Sequence, residues 1–207
     1  VGPHCAYGIA VEKELNAYVD GLMSLSGVPF RHVGNFSRYW ETTATRDSFS
    51  WIRRGFLVLC GKPGVGKSFG AAWLVRIYLR DQVNEAYRRD TWKRAEAAAA
   101  NTCWCSAYDI VCDKNTAAKA KSFALAVIDD LGKESDSGHA QAAVRDVISK
   151  RYDSKLPTVI TTELTVPDIS NRYGRAAVER LVEDIAHGGR FVDCGNASMR
   201  LIDKRSA

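Results

Sequence analysis

Apolar residues recur three and four positions apart at Val11, Leu15, Val19, Leu22 and Leu25, which predicts an amphipathic helix over 11–25 that ends near the Gly27-Val28-Pro29 turn. Residues 31–52 are rich in aromatics without a clear period and predict a loop and one helix lying over the core. The continuous apolar run GFLVLC at 55–60 fits a strand buried on both faces. A helix is expected over 68–79, with Ala71, Ala72, Leu74, Val75 and Leu79 inward. A charged segment at 88–94 leads into an alanine-rich helix at 95–100. Strand patterns follow at 102–108, 123–128, 158–162 and 191–194, the second preceded by a small, polar stretch at 115–122. Helices are expected at 140–152 and at 175–185, the latter with Val178, Leu181, Val182 and Ile185 inward. Strands alternating with helices predict an α/β fold, a parallel sheet covered on both sides.

With 207 residues, 46% of them hydrophobic, the chain can bury one substantial core. Its net charge of +5 is compatible with nucleic acid but is equally that of a solvated surface. No apolar run approaches the ~20 residues of a membrane span, and no secretory signal opens the chain. It starts Val1-Gly2-Pro3-His4 without a Met, as a trimmed N-terminus would. Six cysteines without framework spacing, most within apolar stretches, are expected to be reduced, buried thiols of a cytoplasmic protein. Cys103-Trp104-Cys105 would put two sulfurs on one strand face, yet no second cluster completes a zinc site, so a structural role is expected.

Chemistry enters at GKPGVGKS, 61–68, between the buried strand and a helix. This is the phosphate-loop pattern in the context it requires. Gly64 and Gly66 let successive N–H groups converge, and the helix start adds its positive dipole end. Lys67 can reach the β- and γ-phosphates, and Ser68 offers a hydroxyl to Mg²⁺. Gly61, Pro63, Gly64, Val65, Gly66, Lys67, Ser68 and Phe69 are the candidate nucleotide-binding residues. The strand ending Asp129-Asp130 supplies an acidic pair, with Asp129 expected on Mg²⁺ and Asp130 on the attacking water. The apolar strand before Thr162 and Glu163 ends polar, where either residue could bond that water or the acidic pair. Arg175 and Arg180 lie about 140° apart round their helix, so they need not serve one site. An arginine reaching a neighbour's γ-phosphate can contribute thousands-fold to the rate. Arg200 follows the last strand and could return to the phosphates of its own subunit.

Together these pieces resemble the DnaC/IstB family of AAA+ ATPases, bacterial and phage helicase loaders and transposition helper proteins. The resemblance covers about 30–200 and rests on GFLVLCGKPGVGKSFGAAWL, LAVIDDLGKES, VISKRYDSKLPTVITTEL, NRYGRAAVERL and NASMR. It implies a three-layer P-loop NTPase fold with parallel strands in the order 5-1-4-3-2, without a separate helical lid domain. An N-terminal helical extension, 1–30, would precede an AAA+ domain, 31–207; the extension is too short to be the family's usual partner-binding domain. The resemblance also implies ATP at junctions between copies of the chain, and contact with single-stranded DNA and with a replicative helicase or transposase. By position, Thr162-Glu163 falls at sensor 1, Arg180 at the arginine finger with Arg175 as its rival, and Arg200 at sensor 2. Relatives usually carry Asn where this chain has Glu163. A carboxylate beside Asp130 and a triphosphate costs energy unless a cation or proton intervenes, so Glu163 points away or hydrolysis is slow.

Arg88, Arg89, Lys93 and Arg94, with Tyr87 and Trp92 between them, could track a phosphate backbone, although a solvated helix face is the expectation. Loading of a replicative helicase is the leading reading. A transposition helper, a P-loop kinase of a small acceptor and an ATP-gated binding module remain as alternatives.

Overall fold

A computed structural model describes residues 3–34, 42–48, 51, 54–183 and 189–196 of the chain. Its centre is a five-stranded, all-parallel sheet in the order β2-β3-β4-β1-β5. The strands are β1 (Phe56–Cys60), β2 (Thr102–Ser106), β3 (Leu125–Leu131), β4 (Thr158–Thr162) and β5 (Arg190–Asp193). Read from the other edge this is 5-1-4-3-2, the expected order.

Alternation along the strands separates two cores. Leu57, Leu59, Val127, Val159 and Val192 face one layer of helices, built by α1 (Pro3–Leu25), α2 (Thr43–Ser48), α3 (Lys67–Arg89) and α4 (Trp92–Ala100). Phe56, Val58, Ala126, Ile128 and Ile160 face the other. That second layer holds α5 (Ala107–Cys112), α6 (Lys114–Ser122), α7 (Gly138–Asp153), α8 (Val166–Tyr173) and α9 (Arg175–Glu183). Both faces are covered, so the strands read as continuous apolar runs rather than alternating ones.

Helix α3 runs ten residues beyond the expected 79 because Val83 and Ala86 continue the buried stripe that Leu79 belongs to. The strand expected over 102–108 stops at Ser106. There a capping box starts α5: Ser106 Oγ accepts the Asp109 N–H at 3.1 Å, and Asp109 Oδ2 accepts the Ser106 N–H at 2.8 Å. The stretch expected as small and polar before β3 is helix α6, capped by Asp113, whose carboxylate accepts the N–H groups of Asn115 and Thr116. Residue 185, expected to face inward, lies outside the described residues.

Val19, Leu22, Met23 and Val28 belong to the same core as α3 and β1. The turn after α1 also closes the β2 edge. Trp104 N–H donates to Ser26 O at 3.2 Å, and the buried Ser26 hydroxyl donates to Leu22 O at 3.0 Å and Ala99 O at 3.1 Å. At the far end of β4 the fully buried Arg151 binds no carboxylate. Its guanidinium donates to Thr158 Oγ1 (2.5 Å), Ala120 O (2.7 Å), Phe123 O (3.0 Å) and Pro157 O (2.7 Å), tying α7 to the starts of β3 and β4. Burial lowers its pKa to about 10, still charged at neutral pH.

Candidate functional site

The phosphate loop leaves β1 at Cys60 and enters α3 at Lys67. Gly66, the residue before the helix, has φ +93°. A Cβ there would also meet Thr42 Cγ2 at 3.3 Å, so conformation and space both favour glycine. In the first turn of the helix, a Cβ on Gly70 would sit 2.7 Å from Ala44 Cβ, so glycine there lets α2 pack closely on α3. Val65 is buried in the core, so it anchors the loop by its side chain and has only its backbone to offer a ligand. Pro63 is exposed. Phe69 is half-buried and packs against the core, with the His32 ring 6.5 Å away.

Lys67 Nζ donates to Gly61 O at 2.6 Å and Lys62 O at 2.9 Å. Burial lowers its pKa, and the nearby carboxylates of Glu163 and Asp130 oppose that shift. Ser68 Oγ donates to Asp129 Oδ1 at 2.8 Å. Two motifs 61 residues apart in the chain thus meet at one carboxylate. A hydroxyl beside a carboxylate is a hard-oxygen donor set that fits Mg²⁺. Among the described residues no group of three or more His, Cys, Asp or Glu side chains gathers to hold a metal. An ion here would therefore need nucleotide oxygens or water to complete its shell.

Asp129 and Asp130 lie on a bulge. The β3–β4 register runs Ile128 to Ile160 and then Leu131 to Thr162, so two β3 residues oppose the single Thr161. Asp130 adopts φ +57°, in the left-handed region. Thr161, fully buried, serves both acids: its hydroxyl donates to Asp129 Oδ1 at 2.5 Å and accepts the Asp130 N–H at 2.9 Å. The strand pattern left Thr162 or Glu163 to bond either the attacking water or the acidic pair. The bond to the acidic pair is made by Thr161, and Thr162 points to the opposite side. There its hydroxyl donates to Leu131 O at 2.8 Å and accepts the Leu164 N–H at 3.0 Å. Removal from solvent raises the Asp130 pKa, and the charges of Asp129 and Glu163 raise it further, against Lys133 and Lys67. Such a shift suits a proton acceptor.

Glu163 meets the cation its position called for. Its Oε2 accepts from Lys133 Nζ at 2.8 Å.

Sequence reading assigned nothing to Glu134. It is buried, and its carboxylate accepts from Arg172 Nε (2.8 Å), the Tyr173 hydroxyl (2.5 Å) and the Gly132 N–H (3.1 Å). Arg172 also donates to Glu134 O (2.7 Å) and Asp136 Oδ1 (3.0 Å). The end of α8 thereby grips the loop after the acidic strand. Burial pushes the Glu134 carboxyl up, but the bonds from Tyr173 and Arg172 outweigh it and hold the pKa below the ordinary glutamate value. Nothing local in the sequence pairs residues so far apart.

Arg175 is the first residue of α9, after Gly174 at φ +84°. Its side chain is 89% exposed and pairs along its own helix with Glu179 at 2.8 Å. Arg180 rests its guanidinium 5.9 Å from the centre of the Tyr152 ring of α7. Neither shows a contact with Lys67, Asp129, Asp130 or Glu163 among the described residues. Arg200 lies outside the described residues.

Arg88, Lys93 and Arg94 are exposed, and Arg89 is tied to Glu85 at 2.7 Å. Cys103 and Cys105 both point into the second core as free thiols. No helix among the described residues is long and apolar enough to cross a membrane.

The family model for "IstB-like ATP binding protein" matches residues 39–207. The crystal structure of the DnaC helicase loader aligns at TM-score 0.47 and 19% identity, over 67% of this chain and 77% of that one. The crystal structure of DnaI aligns at TM-score 0.48 and 15% identity, over 75% and 80%. No curated protein matches the chain.

Proposed function

This chain belongs to the family of IstB-like ATP binding proteins, and from that premise we propose that it is a Mg²⁺-dependent AAA+ ATPase. Its pockets are completed at junctions between copies of the chain, and its nucleotide state controls its grip on DNA and on a replicative helicase. The observation that carries the ATPase half is the 2.8 Å contact between Ser68 Oγ and Asp129 Oδ1, which puts the phosphate loop and the acidic strand at one point.

Lys67 and the backbone N–H groups of 64–68 would hold the phosphates, with Ser68 and Asp129 as the protein's ligands to Mg²⁺. The ion would supply neutralisation of phosphate charge. Asp130, held on the bulge by Thr161 with its pKa raised, orients the attacking water and takes its proton. Arg175 is better placed than Arg180 to reach a neighbouring copy, because its side chain is exposed whereas Arg180 lies on a ring of its own subunit.

Lys67→Ala should weaken ATP binding and turnover by roughly 100-fold or more. Equal nucleotide affinity with and without Lys67, measured by titration, would remove the assignment. The loader half is supported by the motif resemblance over 30–200. It is tested by ATP-dependent capture from the native host, where a replicative helicase among the captured proteins supports it. The family's IstB-like description favours a second reading, service to a transposase; a transposase in place of the helicase would select it.

A further inference from the structure

Lys133 and Glu163 face each other across a fixed gap. The loop after β3 turns tightly, with Lys133 N–H donating to Asp130 O at 3.0 Å. It packs against the segment after β4: a Cβ on Gly132, at φ +98°, would come within 2.6 Å of Leu164 Cδ1. Leu131 pairs with Thr162 in the sheet, so the segments carrying the two residues leave neighbouring strands together, and Lys133 Nζ donates to Glu163 Oε2 at 2.8 Å. The pair stands beside the phosphate loop: the Gly61 N–H donates to Thr162 O at 3.2 Å, one residue before Glu163, and Lys67 Nζ donates to Gly61 O at 2.6 Å.

We propose that Lys133 is a specificity-determining residue of the nucleotide site: by holding the Glu163 carboxylate in an ion pair, it lets the site accept the additional negative charge of ATP over ADP. This rests on the nucleotide reading given above. A γ-phosphate brought to Lys67 and the acidic strand approaches a carboxylate at Glu163, and like charges there repel unless a cation stands between them. ADP ends one phosphate short and meets less of that repulsion. With side chains 52% and 30% exposed, the pair contributes little to folding, so its loss reads out on ligand preference rather than on stability.

The test is titration of the full chain with a non-hydrolysable ATP analogue and with ADP, each with Mg²⁺, and with thermal melting of every variant. In Lys133→Ala the analogue's affinity should fall about tenfold while that for ADP changes less than about twofold. Lys133→Arg should keep the original preference, and Lys133→Ala/Glu163→Gln should regain it. An unchanged ratio of the two affinities in Lys133→Ala overturns the proposal, as does an equal loss for both ligands. Persistence of the defect in the double variant also overturns it, by making Lys133 act on the phosphate without Glu163. If the unaltered chain binds neither ligand, the nucleotide reading itself falls and this inference with it.

Discussion

Ser68, Asp129 and Thr161 are joined hydroxyl to carboxylate at the buried edge of the sheet, whereas Lys133, Glu163 and Arg175 stand at the surface in pairs that water reaches. The inner group is held by strand register: one threonine hydroxyl opposite a bulge fixes two acids at once. The outer group is held by long side chains whose partners can be exchanged. A wall of the first kind is preorganised for one ion and one water, and costs little to keep in place at the moment of reaction. A wall of the second kind is suited to answer what arrives, a γ-phosphate or an adjoining subunit.

The sharpest way to break that contrast is through the arginines. Arg175→Ala should retain ATP binding yet lose turnover by about a thousandfold. Mixing it with an Asp130→Asn variant, which keeps its own arginine, should restore part of the rate. Arg180→Ala should change turnover by no more than about a few-fold, since it loses a contact with Tyr152 valued at about 0.5–1 kcal/mol. A reversed order of the two variants in an ATPase assay would return the finger to Arg180, and a mixture that stays inactive would undo the shared pocket.

A smaller effect is expected on the inner wall. Thr161→Val keeps the shape but strands the Asp130 N–H and leaves Ser68 as the remaining hydroxyl on Asp129 Oδ1. Turnover should fall by roughly 10- to 100-fold with ATP affinity nearly unchanged, and Thr161→Ser should recover most of it. A variant that binds ATP poorly but turns over bound nucleotide at the normal rate would show that the hydroxyl serves binding instead.

The smallest expected effect is one of stability. Glu134 has its folded pKa below its unfolded value of about 4.5, so the stability it adds is present above that pH and is lost as pH falls through the folded value. Glu134→Gln should therefore be less stable than the unaltered chain at neutral pH, by about 1–3 kcal/mol, and the difference should shrink in acid. Denaturant melts at pH 7 and pH 3.5 read this directly. A constant difference across the range would mean that the charge of Glu134 is not what Arg172 and Tyr173 hold.

Sequence carried much of the fold and the core of the site. Phosphate loop, acidic pair and the strand at 158–162 were all legible because each is a continuous local pattern. The α5 and α6 boundaries were also written locally, as Ser106-x-x-Asp109 and in Asp113, but a strand pattern running past Ser106 outweighed them. Choosing Thr161 over Thr162 required the register of β3 against β4 and the bulge within it, which no single strand contains. Glu134 with Arg172 and Lys133 with Glu163 pair across 38 and 30 positions, and only the packed sheet brings them together. Helical spacing separates Arg175 from Arg180 without saying which of them rests on an aromatic ring, as Arg180 does on Tyr152.

The turn at Ser26 and Gly27 has a bearing on how this protein can be shortened. A piece trimmed to the motif-bearing portion would uncover the outer rim of β2, an unsatisfied ladder on which another copy could template itself. Size-exclusion of residues 29–207 beside the full chain would register it as self-clumping, and the leading helix would then count as a guard on the sheet rather than an appendage to it.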